Sequence, residues 1–252
     1  MSGHAGPGYA ALTPPEVLAA LDQVGLRGDG RILQLNSYEN RVFLVFLEDG
    51  RAVVAKFYRP GRWTDAQLLE EHAFARQLAD AEVPVVAPLT LAAEADGTLS
   101  LQPAARPTLA TVDVDGTTHR FAVAARCAGR APELEQPGTL QWLGRFIGRL
   151  HAVGRSQAFA HRTRMDPAAD AARARAELLD GEHLTPGQRD AWAAASDAAV
   201  EAIARAFDTV TPAWLRLHGD CHLGNVLWRD EGPHVVDLDD ACMGPAVQDL
   251  WM

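Results

Sequence analysis

Hydrophobic positions in the N-terminal part of the chain come in short runs that are broken by turn residues. The segment RILQLNSYENRVFLVFLEDGRAVVAKFY predicts strand, loop, strand, turn and strand in that order. Asp49-Gly50 is a strong hairpin signal between the strands at 42–47 and 52–58. Two further Asp-Gly turns, at 96–97 and 115–116, separate short runs with β character. The pattern therefore predicts a β-rich N-terminal region.

Two helices are predicted in this region from their N-terminal capping boxes. Thr13 precedes a proline and has Glu16 three residues on, which predicts a helix that ends before Gly25. Thr64 and Gln67 form the second box. The helix after it places one stripe of residues toward the core: Leu68, Glu71, Phe74, Ala75 and Leu78.

The pattern changes to helical spacing after Gly138. The segment LQWLGRFIGRLHAVG predicts an amphipathic helix whose apolar side carries Leu140, Leu143, Phe146, Ile147 and Leu150. Alanine-rich helices follow at 167–180 and 187–207, and short strands return in WLRLHGD and HVVDLDD. We predict an α+β protein with two lobes: an N-terminal lobe at 1–123, a hinge at 124–131 and a mostly helical C-terminal lobe at 132–252.

Composition narrows the class of protein. The 23 Lys and Arg residues against 33 Asp and Glu give a net charge of −10, which disfavours non-specific nucleic-acid binding. No run approaches the ~18 apolar residues of a membrane helix. The cysteines Cys127, Cys221 and Cys242 are too few for a disulfide framework, and we expect a cytoplasmic protein without a membrane partner. The chain stops within the apolar stretch GPAVQDLWM, so we expect a fragment with an incomplete C-terminal lobe.

The segment LRLHGDCHLGNVLW, residues 215–228, concentrates the candidate chemistry. His218, Cys221 and His222, with Asp220 as a further candidate, could be zinc ligands, Cys221 could be a nucleophile with a histidine base, or the loop could be polar without a function. A fourth interpretation is the kinase catalytic loop H-x-D-x-x-x-x-N, which His218, Asp220 and Asn225 match position for position. In that loop the aspartate orients the attacking hydroxyl and the asparagine binds magnesium.

Companion residues favour the kinase interpretation. Asp237 in HVVDLDD follows an apolar strand, where a kinase keeps its metal-binding aspartate. Lys56 lies on the predicted third strand, and we expect an ion pair with Glu71 that fixes it at the α- and β-phosphates. Ser37, in the glycine-free loop LNSYENRV, could contact phosphate, and Glu39 could reach the metal or the lysine.

These motifs resemble the aminoglycoside phosphotransferase-like branch of the protein kinase fold. The blocks LNSYENRV, KFYRPGRWT, LEEHAFARQL, VPVVAP, RLHGDCHLGNVLWRD and VDLDDACMGPAVQDLWM are similar to the stress response kinase A family of bacteria. The resemblance implies a bilobal fold and an ATP- and Mg²⁺-dependent Ser/Thr protein kinase of the stress response, acting on protein hydroxyls, its own included, as a monomer.

The resemblance also implies residue roles. Asp220 and Asp237 would be catalytic, with Asp220 as proton acceptor; Asn225 and Asp237 would hold magnesium; Ser37, Lys56 and Glu71 would bind ATP. We also expect Asp249 to brace the catalytic loop, as His218 would through hydrogen bonds. Trp63 and Trp251 are predicted to lie in the core or between the lobes.

Two other functions stay open at this point. One is a small-molecule kinase on the same fold, for homoserine, an aminoglycoside or choline. Choline is disfavoured because only 7% of residues are aromatic and none cluster in the helical segment 166–207. The other is a kinase-fold binding module without activity, which the filled catalytic positions disfavour.

Overall fold

The computed structural model describes residues 11–91 and 107–251. A five-stranded antiparallel sheet has the strand order β1-β2-β3-β5-β4. Its elements and the helices on it are α1 (Pro14–Asp22), β1 (Gly28–Leu35), β2 (Arg41–Leu47), β3 (Ala52–Phe57), α2 (Asp65–Asp80), β4 (Ala110–Val114) and β5 (Thr117–Ala125). The remaining elements are α3 (Thr139–Gly154), α4 (Pro167–Asp180), α5 (Pro186–Thr209), β6 (Trp214–Leu217), β7 (Val226–Arg229), β8 (Gly232–Val235) and β9 (Cys242–Pro245).

The predicted turns and caps are present where the structure describes them. Thr13 and Thr64 form the capping boxes of α1 and α2, and Gly50 adopts a φ of 84° in the turn between β2 and β3. The turn at 115–116 joins β4 and β5. The predicted turn at 96–97 lies outside the described residues.

Alternation along β3 decides which face of the sheet carries Lys56. Val53, Ala55 and Phe57 are buried in one apolar cluster with residues of α1. Because side chains on a strand alternate between faces, Lys56 projects from the opposite face. Its neighbour across the sheet is Ala122, which packs with Leu68 of α2. Lys56 therefore lies on the face that α2 covers.

Helix α2 belongs to both parts of the molecule. Its predicted stripe is buried throughout, as expected. The lower part of that stripe packs into a second cluster with α3 and the β7–β8 hairpin, which contains Phe74, Ala75, Leu78, Leu143, Phe146, Leu150, Val226 and Val235. The prediction for Leu140 is wrong, because this residue in the first turn of α3 is 66% exposed, beyond the packed part of the helix.

The C-terminal part places its short strands beside α3. Strands β6 and β9 pair with each other, as do β7 and β8, and α4 packs on α5. Both long helices begin at a proline, Pro167 and Pro186, behind capping residues. In the described residues, none of the helices combines the length and apolar character that a membrane crossing needs. The predicted hinge at 124–131 covers the end of β5 and the coil after it; its hinge function stays a prediction.

Candidate active site

The loop after β6 brings Asp220 and Asn225 together. Residues Leu223–Asn225 form a 3₁₀ turn. From this turn the Asn225 Nδ2 donates to the Asp220 backbone oxygen at 2.9 Å and to Asp220 Oδ2 at 3.2 Å. The Asn225 backbone oxygen accepts from the Val236 N–H at 3.0 Å, which places the loop directly beside the segment that carries Asp237. Two sequence-predicted residues and the neighbour of a third therefore meet at one place.

A buried carboxylate fixes the start of this loop. Asp249 Oδ2 accepts from the His218 N–H at 3.0 Å, and Asp249 Oδ1 accepts from the Gly219 N–H at 2.9 Å. His151 Nε2 lies 2.9 Å from Asp249 Oδ2. This is the bracing contact expected of Asp249. Gly219 itself requires a φ of 87°, and a Cβ there would lie 2.0 Å from the Asp240 backbone oxygen.

His218 is occupied on both ring nitrogens. Its Nδ1 accepts from the Asp220 N–H at 3.2 Å, so the ring proton lies on Nε2, which donates to the Val236 oxygen at 3.0 Å. The side chain is fully buried. It therefore braces the loop, as expected, and has no nitrogen left for a metal.

The zinc and cysteine-nucleophile interpretations lose their support. Among the described residues, no group of three or more His, Cys, Asp or Glu side chains is placed to hold a metal ion. Burial raises the pKa of the Cys221 thiol to about 12, helped by Asp249 and Asp220, so the nucleophilic thiolate does not form at neutral pH. His222 caps the 3₁₀ turn, where its Nδ1 accepts from the Gly224 N–H at 2.9 Å.

Lys56 makes its ion pairs with the segment after β8. Its Nζ lies 2.7 Å from Asp237 Oδ1 and 2.6 Å from Asp239 Oδ1. The expected Lys56–Glu71 ion pair is not formed, because two converging carboxylates attract the ammonium more than one does. Burial lowers the pKa of Lys56, but Asp239, Asp237 and Glu71 outweigh it and raise that pKa above its ordinary value.

Asp237 sits in an unusual backbone conformation. Its φ of 63° is in the left-handed region, which non-glycine residues enter uncommonly, aspartate more often than most. Burial acts to raise the pKa of Asp237, but Lys56 prevails and keeps that pKa below its ordinary value. Asp237 is therefore an anion at neutral pH.

Glu71 lies near this cluster without entering it. The residue is 6% exposed, and its Oε2 has no hydrogen-bond partner among the described residues. Burial, aided by Asp239, raises the pKa of Glu71 to about 8, although Lys56 and Arg162 act in the opposite direction. Burial therefore disfavours the charged form of Glu71.

The loop between β1 and β2 contacts the Asp237–Ala241 segment through Asn40. Ser37 is exposed, and its hydroxyl accepts from the Asn40 N–H at 3.3 Å. Asn40 is buried; its Nδ2 donates to Asp239 Oδ2 and its Oδ1 accepts from the Arg59 N–H at 3.1 Å. Glu39 pairs with Arg62 rather than with a lysine. The loop is therefore attached to the segment that carries Asp239.

Several residues of the site were missed in the sequence. Asn40, Arg62 and Arg162 each contact the segment after Asp237, with the Arg62 Nη2 2.7 Å from Asp240 Oδ1. Asp239 lies two residues after the predicted Asp237, and the acidic residues around it were the signal that could have identified it. The prediction for Trp251 is wrong, since it is 70% exposed, whereas Trp63 packs between Arg62 and Arg162.

The comparison with protein families decides what kind of chain this is. The phosphotransferase enzyme family matches residues 31–252. Stress response kinase A of Escherichia coli (strain K12) is 42% identical over 250 residues, covering 97% of this chain and 69% of that protein. The chain belongs to the stress response kinase A family. The predicted α+β, protein-kinase-like fold is thereby confirmed.

Other relatives agree with this assignment. The serine/threonine protein kinase RdoA of Salmonella typhimurium is 39% identical over 244 residues, covering 97% of this chain and 69% of that protein. Among solved structures, amicoumacin kinase hAmiN has a TM-score of 0.65 at 17% identity, covering 94% of this chain and 70% of that one. A microcompartment-associated aminopropanol kinase has a TM-score of 0.59 at 16% identity, covering 94% and 73%. These two structures support the fold alone, and the family supports a kinase.

Proposed function

We propose that this protein is an ATP- and Mg²⁺-dependent kinase that transfers the γ-phosphoryl group of ATP to Ser or Thr hydroxyls of proteins. The observation that carries the proposal is the convergence of Lys56, Asp220, Asn225 and Asp237 from three separate segments of the chain. Such a set positions phosphates, metal and hydroxyl together, which is most of what phosphoryl transfer requires.

The donor set fits magnesium. Mg²⁺ takes hard oxygen ligands and commonly binds through one or two carboxylates together with substrate phosphates. Asp237 offers an ionised carboxylate. The Asn225 amide bonds to Asp220 through its Nδ2, which leaves its amide oxygen available as a metal ligand. When bound, the metal would neutralise charge on the phosphates and in the transition state. Asn225 and Asp237 are the residues that would hold it.

The remaining residues have distinct tasks. Lys56 binds the α- and β-phosphates after exchanging its carboxylate partners for phosphate oxygens. Asp220, whose carboxylate is oriented by Asn225 Nδ2, accepts a hydrogen bond from the attacking hydroxyl and aligns it with the γ-phosphoryl group. Ser37 and the backbone of its loop contact phosphate, and Glu71, in its ionised form, favours the charged form of Lys56.

Relatives favour a protein substrate over a small molecule. The relative at 39% identity is named a serine/threonine protein kinase. The small-molecule kinases among solved structures share the fold at only 17% and 16% identity. We propose that the protein acts in the bacterial stress response, in the cytoplasm, as a monomer, and that it also phosphorylates itself. A small-molecule kinase is the second candidate.

Radiolabelled ATP tests the proposal. The wild type is offered generic protein substrates beside amino alcohols and aminoglycosides, and label is expected on protein. Asp220→Ala should bind Mg·ATP with an affinity near that of the wild type but transfer no label, since Asp220 acts on the hydroxyl. Asp237→Ala should bind Mg·ATP more weakly in titration calorimetry.

A matched control is Asp230→Asn, an exposed acid in the turn between β7 and β8, which should behave as wild type. Transfer to a small molecule alone would replace the protein substrate by the second candidate. Normal transfer by Asp220→Ala would refute the assignment of the loop.

A further inference from the structure

The coil between α3 and α4 packs against α2, where Phe159 contacts the Phe74 ring. Residues 157–165, here called the strap, are held there by Glu70. The Glu70 carboxylate accepts from the backbone N–H groups of Ala160, His161 and Arg162, at 2.8 Å and 2.7 Å for the last two. Burial acts against it, but these donors keep the pKa of Glu70 below its ordinary value. The strap is thus attached to the helix that carries Glu71.

The far end of the strap is attached to β9. The Met165 N–H donates to the Met243 oxygen at 2.8 Å, and the Met243 N–H donates to the Thr163 oxygen at 2.9 Å. Strand β9 follows the Asp237 segment by only a few residues. One short coil therefore contacts both α2 and the strand behind the proposed metal-binding residue.

Arg162 connects the two attachments. The side chain is 5% exposed; its Nε donates to the Ala241 oxygen at 2.8 Å and its Nη2 donates to the Asp239 oxygen. The guanidinium carbon lies 4.1 Å from the centre of the Trp63 ring. One planar cation thus holds two carbonyls of the Asp237–Ala241 segment in a fixed relation to the strap.

The charge of Arg162 also acts on Glu71 of α2. It is one of the two cations that lower the pKa of buried Glu71, the other being Lys56. Arg162 touches neither Lys56 nor Asp237 through a described contact, so any effect it has on them passes through the backbone it holds.

We propose that Arg162 is a positioning residue: it attaches the Asp237–Ala241 segment to the strap on α2, so that Asp237 and Asp239, the two ion-pair partners of Lys56, keep the positions that Mg·ATP binding needs. This rests on the proposed kinase function. If Arg162 were purely structural, its substitution would lower the stability of the protein but leave the nucleotide affinity of the folded protein unchanged.

The experiment cuts the connection at either end. Arg162→Met removes the two hydrogen bonds to the segment, Arg162→Lys keeps the cation but loses the planar guanidinium that fixes the spacing of the donors, and Glu70→Gln weakens the attachment to α2. The control is Arg164→Met, because Arg164 lies in the same strap and also packs on an indole ring, that of Trp214, at 4.2 Å. Each variant is compared by Mg·ATP titration calorimetry, kinetics and hydrogen–deuterium exchange.

Arg162→Met is expected to weaken Mg·ATP binding about tenfold or more, the size of one lost charge-assisted hydrogen bond, with a larger change in KM than in kcat. Arg162→Lys should fall between it and wild type. Glu70→Gln should speed amide exchange in residues 237–243, although Glu70 does not touch them, and Arg164→Met should change neither property.

Equal affinity and equal exchange in Arg162→Met and Arg164→Met overturn the inference. The inference is also overturned if amide exchange becomes faster only in the segment next to the substituted residue. If the wild type transfers no phosphoryl group, the proposed function fails separately, and the exchange of residues 237–243 in Glu70→Gln still decides whether the strap couples the two segments. If Arg162→Met does not fold, Arg162→Lys is judged by the same criteria.

Discussion

Asp249→Asn is the substitution whose effect on the free energy of unfolding is best defined by the structure. The carboxylate accepts the N–H groups of His218 and Gly219 and contacts His151, all within 3.0 Å, and it is 2% exposed. An asparagine can place its oxygen where Oδ2 is and keep two of these contacts. Its NH₂ group must then face the Gly219 N–H, donor against donor.

The magnitude follows from that arrangement. A hydrogen bond to a charged acceptor contributes about 1.5–3 kcal/mol, and a buried donor left unpaired costs about 1–3 kcal/mol. We expect Asn to lower the free energy of unfolding by about 2–4 kcal/mol, because the two costs overlap in one group. Since His218 also holds the Asp220 N–H, phosphoryl transfer should fall as well.

Urea unfolding followed by circular dichroism measures the loss, with the slope m as a check on two-state behaviour. Asp230→Asn controls for the loss of one carboxylate at an exposed position. A change below about 0.5 kcal/mol, the usual range for surface substitutions, would mean that Asp249 does not carry the loop.

Three further substitutions test other parts of the site. Folding raises the pKa of Glu71 from 4.5 to about 8, so the unfolded chain loses this proton first and the free energy of unfolding falls as pH rises through that window. In urea unfolding, the stability of Glu71→Gln relative to wild type should therefore increase by ~1–3 kcal/mol between pH 5 and pH 8. A difference between the two proteins that does not change with pH would contradict this. Gly219→Ala should lower the melting temperature more than Gly61→Ala, since both have positive φ but only Gly219 has a backbone oxygen in the way; equal losses would show that conformation alone matters. Tyr58→Phe removes the hydroxyl 2.7 Å from His72 Nε2 and should cost about 1 kcal/mol, whereas no loss would mean that the buried ring finds another partner.

Local spacing explains what the sequence could predict. The capping boxes of α1 and α2, the stripe on α2 and the loop from His218 to Asn225 each depend on residues within a few positions of one another. Their geometry follows from backbone periodicity and turn chemistry, which are readable without tertiary structure.

The sequence did not reveal which residues pair between distant segments of the chain. Lys56 prefers Asp237 and Asp239 to Glu71, and Asn40 reaches Asp239, only because the folded chain brings distant segments together. Arg162 carried no signal at all, since one arginine in a coil resembles any other until its burial is known. Exposure at Leu140 and Trp251 likewise depends on which neighbours cover a helix face or a turn.

The sharing of α2 between two apolar clusters has a consequence for folding. Its Leu68 packs under the sheet, whereas Phe74 and Leu78 pack with α3 and the β7–β8 hairpin. Neither half can lose its structure without exposing a face of the same helix. The chain should therefore unfold in a single cooperative transition, and a cut in the coil between β5 and α3 should leave two pieces that are unstable apart and recover only when mixed.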